Sequence, residues 1–211
     1  MIRFTARILC FALGLLAASA LFAQTEFSAD VVNNDKRGTE HATKIYFGKD
    51  KIRFDGMGHG GRMGNGAVIM DLNAQTWTIL MPEQKMYMEM PPHSAESKEM
   101  FTYFHSGDAE NACPDWLKLD RNHGGTCHKV GSENVNGRST VHYAGTDSEG
   151  KPHEVWLDSK LRFPVKWSGK DEEGGEMQNI KEGPQPASLF EIPSGYTKMD
   201  MSGMMQQRKH N

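Results

Sequence analysis

From Phe27 to Met90 the chain alternates apolar and polar residues in short runs broken by turn residues, the pattern of strands that bury one face. Residues 26–34 and 41–47 give two strands, with Ile45 and Phe47 on one side of the second. Gly48, Lys49 and Asp50 turn the chain into 51–55, where Ile52 and Phe54 face away from Lys51 and Arg53. After a glycine-rich stretch, 56–66, Val68, Met70 and Leu72 mark a strand, Asn73 and Ala74 a turn, and Trp77, Ile79 and Met81 the next strand. Residues 82–84 turn again into Met86, Met88 and Met90. This is a meander of hairpins rather than a βαβ unit.

The middle of the chain changes period. After Pro91 and Pro92, residues 95–105 place Met100, Phe101 and Phe104 near helical spacing, and 106–127 read as irregular or weakly helical. Alternation returns from Cys127. Asn136-Gly137 is the strongest hairpin signal. Further strands are expected at Val155–Leu157, Phe163–Trp167 and Glu176–Ile180, and no repeat of solenoid period is present.

The N-terminus adds an address. Arg3 and Arg7 precede an uncharged run from Ile8 to Ala23 that ends in small residues, the order of a signal peptide cut between Ala20 and Ala23. The run is too short to span a bilayer comfortably, and no second candidate follows, so no transmembrane segment is expected after cleavage. The formal charge of −3 becomes −5 once Arg3 and Arg7 are lost, a balance that gives no reason to expect nucleic acid as a partner. The expected organisation is therefore a signal peptide at 1–23, one domain at 24–198, and a disordered methionine-rich tail at 199–211. Of three cysteines, Cys10 leaves with the leader, and Cys113 and Cys127 read as a structural disulfide in an oxidising compartment. His128 is adjacent to Cys127 and His123 lies four residues before it, but neither cysteine has a second cysteine at metal-ligand spacing.

Candidate chemistry is sparse. His105, His123, His128, His142 and His153 are scattered, and the 56–66 stretch lacks the Lys-Ser/Thr of a phosphate loop, so catalysis is not expected. Asp71, Glu154 and Asp158 read as solvent-facing on their strands. Met57, His59 and Met63 combine thioether and imidazole, and Met199, Met201, Met204 and Met205 form a second group. Both suit a soft metal such as copper(I), and this is the alternative reading. The apolar strand faces lead instead to a ligand cavity lined by Met70, Trp77, Ile79, Met81, Met86 and Met88, with Phe101 and Phe104 on the helix. The competing reading has these side chains pack on one another.

The C-terminal pattern resembles a known family. Leu157-Asp158, Leu161, Phe163-Pro164-Val165-Lys166-Trp167, Ile180 and the stretch from Pro186 to Tyr196 are similar to the second half of the LolA/LolB-like lipoprotein-carrier superfamily. Val68–Leu72, Thr76–Met81 and Lys85-Met86-Tyr87 agree in order with the first half, and the likeness runs over 25–198, nearest to an uncharacterised branch of secreted bacterial domains. It implies a mainly β (α+β) domain. A strongly curved antiparallel sheet, a half-open β-barrel, would be covered by one or two helices, and the end near Gly195-Tyr196 would pack back on the sheet. By this resemblance the expected protein is a monomeric, non-catalytic, cofactor-free domain of the periplasm or cell envelope. Its partner would be a hydrophobic small molecule, a lipid or an acylated protein. The remaining alternative is an envelope scaffold without a ligand.

Overall fold

The computed structural model describes residues 24–34, 40–56, 66–90, 95–119, 124–169 and 174–199. The leader, the 57–65 loop and residues 200–211 lie outside them, and with these the readings placed on Met57, His59, Met63 and the tail after Met199.

Six strands come first: β1 (Phe27–Asn34), β2 (Glu40–Phe47), β3 (Lys51–Asp55), β4 (Ala67–Asp71), β5 (Thr76–Met81) and β6 (Met86–Met90). Two helices follow, α1 (Ala95–Ser106) and α2 (Cys113–Leu119). The chain then returns to strands: β7 (Thr126–Val135), β8 (Arg138–Thr146), β9 (Pro152–Asp158), β10 (Phe163–Ser168), β11 (Gly174–Glu182) and the short β12 (Thr197–Lys198). Among the described residues they form one curved, non-closed sheet in the order β12-β6-β5-β4-β3-β2-β1-β11-β10-β9-β8-β7. Every pairing is antiparallel except β12 on β6. The half-open sheet with a helical cover is thus the fold that the alternation and the resemblance implied.

Turn chemistry sets the register. At the β7–β8 hairpin Asn136 and Gly137 both take positive φ, 51° and 81°, and the Gly137 N–H donates to Asn134 Oδ1 at 2.9 Å. After β4, Asp71 Oδ1 accepts the N–H groups of Asn73 and Ala74 at 3.1 and 2.8 Å. Short connections make neighbours of successive strands from β1 to β6 and from β7 to β11, and the period-2 pattern turns alternate positions of each strand to the same side.

That side carries the main core. Phe27 stacks on Phe47 with centroids 5.4 Å apart, Phe163 meets both edge-on, and Phe104 of α1 stacks on Phe163 at 5.1 Å. Ile45, Ile52, Met70, Phe101, Leu161, Val165 and Met177 belong to the same cluster, each almost fully buried. Under α2, Ala109 and Ala112 pack with Val141, Tyr143, Val155 and Leu157, and the Tyr143 hydroxyl donates to the Ala109 carbonyl at 2.9 Å. The Cys113–Cys127 disulfide ties α2 to edge strand β7, with Cα atoms 5.4 Å apart.

The opposite face of β4 to β6 is covered by the chain end. Phe190, from the 3-10 turn Ala187–Phe190, and Tyr196 pack on Ala67, Ile69 and Leu80. Arg53 holds the turn by donating to the Leu189 carbonyl at 2.7 Å. The Phe190 ring lies 2.8 Å from where a Cβ on Gly48 would stand, so only glycine leaves it room. Among the described residues no helix is long and apolar enough to cross a membrane.

Candidate ligand-binding face

The register brings the sequence-chosen strand residues onto one face. Met70 of β4 is opposite Trp77 of β5, Ile79 is opposite Met88 of β6, and Met81 is opposite Met86. They fall into two adjoining clusters. Met70, Trp77, Phe101 and Phe104 belong to the main core under α1. Ile79, Met81 and Met88 form a second cluster with Val68, against which Met86, Met90 and Met199 pack. Trp77 belongs to the margins of both.

The two clusters differ in what covers them. Over the first lies α1: Phe101 is fully buried and meets Trp77 edge-on with centroids 5.3 Å apart. The second contains no helical residue among those described, and Trp77 and the thioether side chains of Met86, Met90 and Met199 pack against it. Methionine is unbranched and rotates about three side-chain bonds, so such a cover repacks at little cost. Met199 is reached through main-chain bonds that prolong the edge, Thr197 N–H to the Lys85 carbonyl at 2.9 Å and Met199 N–H to the Tyr87 carbonyl at 2.8 Å. Met199, read from the sequence as the first residue of the tail, is thus bonded to the edge strand.

Two polar groupings lie elsewhere on the sheet. Asp158, expected to face solvent, is instead 1% exposed. The reason is its set of donors: Arg138 Nε, and the N–H groups of Leu161 at 2.7 Å and Lys160 at 2.9 Å in the turn that follows. Arg138 reaches on to Glu182 at 2.8 Å, and Lys160 pairs with the same carboxylate. The hydrogen bonds from Lys160 and then Arg138 hold the Glu182 carboxyl below the usual glutamate range.

On β7 to β9, the His142 ring stacks on Trp156 with centroids 4.3 Å apart, and Lys166 Nζ, from the neighbouring β10, stands 4.5 Å from that indole centroid. The Glu133 carboxylate accepts from the Trp156 indole N–H at 2.8 Å and is 2.9 Å from His142 Nδ1. The indole bond is the main cause that lowers the Glu133 pKa, with burial opposing it and the His142 bond adding to it. Sequence reading did not find this grouping, because its members lie on three strands and share only an alternation parity. Both groupings bind strands to one another, and neither reaches the methionine face.

A family model described as a domain of unknown function, DUF4412, matches residues 32–162. No curated protein matches. Among solved structures, an uncharacterized conserved protein from Thermus thermophilus is similar at 9% identity and TM-score 0.54, over 84% of this chain and 91% of that one. MucB, in the Pseudomonas aeruginosa MucA/MucB complex, is similar at 16% identity and TM-score 0.47 over 80% of this chain, which spans 56% of that one. A LolA superfamily protein from Nitrosomonas europaea matches at 9% identity and TM-score 0.31, over 81% of this chain and 91% of that one. The matches thus include the superfamily that the sequence pattern resembles, and the Thermus thermophilus structure shows a shared fold.

Proposed function

The chain belongs to the DUF4412 family, and from that premise we propose that it is an exported, non-catalytic binding domain whose ligand is a lipid or acyl chain. The ligand lies on the helix-covered face, against Met70, Trp77, Ile79, Met81, Met86, Met88, Phe101 and Phe104. In this reading residues 1–23 are removed, and 24–198 work as a monomer in the periplasm or cell envelope.

The observation that carries the reading is the division of one apolar face into two parts. Phe101 and Phe104 anchor α1 over the first, while among the described residues thioether side chains and no helical residue pack on the second. A guest chain that displaces methionine side chains exchanges one apolar contact for another, and each methylene it buries contributes about 0.8 kcal/mol. Trp77, half-buried and shared by both clusters, stands where a chain entering from the β6 side first meets α1.

The test is native mass spectrometry of protein purified from the periplasm. The reading expects a chain lacking its first 20 to 23 residues that carries a lipid-sized adduct, lost on delipidation and restored by added fatty acid. A bare mass that stays bare after fatty acid is added argues for a ligand-free scaffold.

A further inference from the structure

Five of the fourteen methionines meet at one end of the sheet. Met86, Met88 and Met90 alternate along β6 and so point to the same face, their Cα atoms about 7 Å apart from one to the next. Met81 is directly across from Met86 on β5, where facing Cβ atoms stand about 5 Å apart. On the other flank, β12 pairs Thr197 with Met86 and Lys198 with Tyr87, which sets Met199 beside Met88. Three neighbouring strands therefore deliver thioethers to one patch, and Val68 and Ile79 floor it with hydrocarbon.

From this juxtaposition we infer that Met81, Met86, Met88, Met90 and Met199 form a binding site for a soft monovalent cation of the copper(I) class. Thioether sulfur is a neutral, polarisable donor that favours copper(I) over the harder divalent ions. The five side chains offer more donors than a three-sulfur site requires, and their rotatable stems let neighbouring sulfurs swing toward one another, Met88 with those on either side of it, without moving the backbone. The apolar floor keeps water and oxygen donors away from the ion. Among the described residues, no group of three His, Cys, Asp or Glu side chains is placed to hold a metal, so borderline and hard ions find no rival cluster there. Sequence spacing alone points to soft donors at 57–63 and 199–205, whereas among the described residues the fold gathers them on β5, on β6 and, just past β12, at Met199. This inference goes beyond the acyl-ligand reading and does not depend on it, since the ion requires only the methionine end of the face.

The test uses the whole mature chain, delipidated, with ¹³C-methyl methionine. Silver(I), a redox-inert analogue, is titrated while methyl resonances are recorded, and copper(I) affinity is measured against a chromophoric copper(I) chelator. The expected result is one equivalent bound, with shifts at the methyls of Met81, Met86, Met88, Met90 and Met199 and none at Met177, which is buried in the main core. The triple variant Met86→Leu/Met88→Leu/Met90→Leu, near-isosteric, should lose at least tenfold in copper(I) affinity. Absence of binding overturns the inference. So does affinity that survives in the triple variant, or that is lost instead in Met57→Leu/Met63→Leu or on removal of residues 201–211. Should the triple variant fail to fold, the methyl shifts of the unaltered protein decide alone. A failed silver titration leaves fatty-acid binding by the metal-free protein intact as a separate result.

Discussion

Trp77 on β5 receives the ring of Phe101 from α1 edge-on, at a centroid distance of 5.3 Å, and this contact fixes the helix at the point where the two apolar clusters join. Phe101 is fully buried, so truncation removes both its hydrocarbon and the edge-to-face contact. Phe101→Ala is expected to cost about 3–5 kcal/mol in urea unfolding, and Phe101→Leu clearly less. Near-ultraviolet circular dichroism of Trp77 should weaken in the Ala variant under native conditions as α1 loosens.

The disulfide should act on stability through the unfolded chain. Cys113 and Cys127 are 14 residues apart, and closing a loop of that length stabilises the fold by about 3 kcal/mol. Cys113→Ser/Cys127→Ser should therefore unfold at lower denaturant with a similar slope. Reductant should lower the midpoint of the wild type to that of the variant and leave the variant unchanged.

Asp158 offers a graded pair of substitutions. Asp158→Ala leaves Arg138 without its buried partner and frees the turn N–H groups of Lys160 and Leu161, a loss of about 3–5 kcal/mol. Asp158→Asn keeps a carbonyl oxygen for the two turn N–H groups but sets its amide N–H2 against the Arg138 donor, so it should cost less than Ala only by the turn bonds it retains. Equilibrium unfolding of the two variants side by side checks the order.

Acid should weaken the fold through the carboxylates that the native state holds in ionised form. Glu182 and Glu133 both have folded pKa values below the usual glutamate range, so the unfolded chain takes up protons first as pH falls. Their contribution is complete above the ordinary glutamate range and is lost as pH drops below that range through the lowered folded values. Melting temperature followed across that window should fall less steeply for Glu182→Gln than for the wild type.

Much of this architecture is written locally. Period-2 alternation marks the strands from Phe27 to Met90 because one face is buried throughout, and Asn136-Gly137 announces its hairpin because both residues tolerate positive φ. The helix at Ala95–Ser106 was legible from the spacing of Met100, Phe101 and Phe104. What escaped depends on contacts between distant segments. The burial of Asp158 comes from Arg138, 20 residues earlier, and from a turn whose N–H groups point inward. The His142, Trp156 and Glu133 grouping needs three strands in register. Met199 reads as the start of a tail, because a two-residue parallel strand leaves no periodicity in the sequence, yet it joins methionines more than a hundred positions away.

The central claim is that the face shared by Trp77 and the β5–β6 methionines accepts an acyl chain. It is tested most directly by titrating delipidated, metal-free protein with monomeric lauric acid while the methionine methyl resonances are followed. The account predicts saturable shifts at Met81, Met86 and Met88, together with a change in Trp77 fluorescence and little movement at Met177. Resonances that stay fixed at every concentration below micelle formation, or that move only in the segment after Met199, would contradict it.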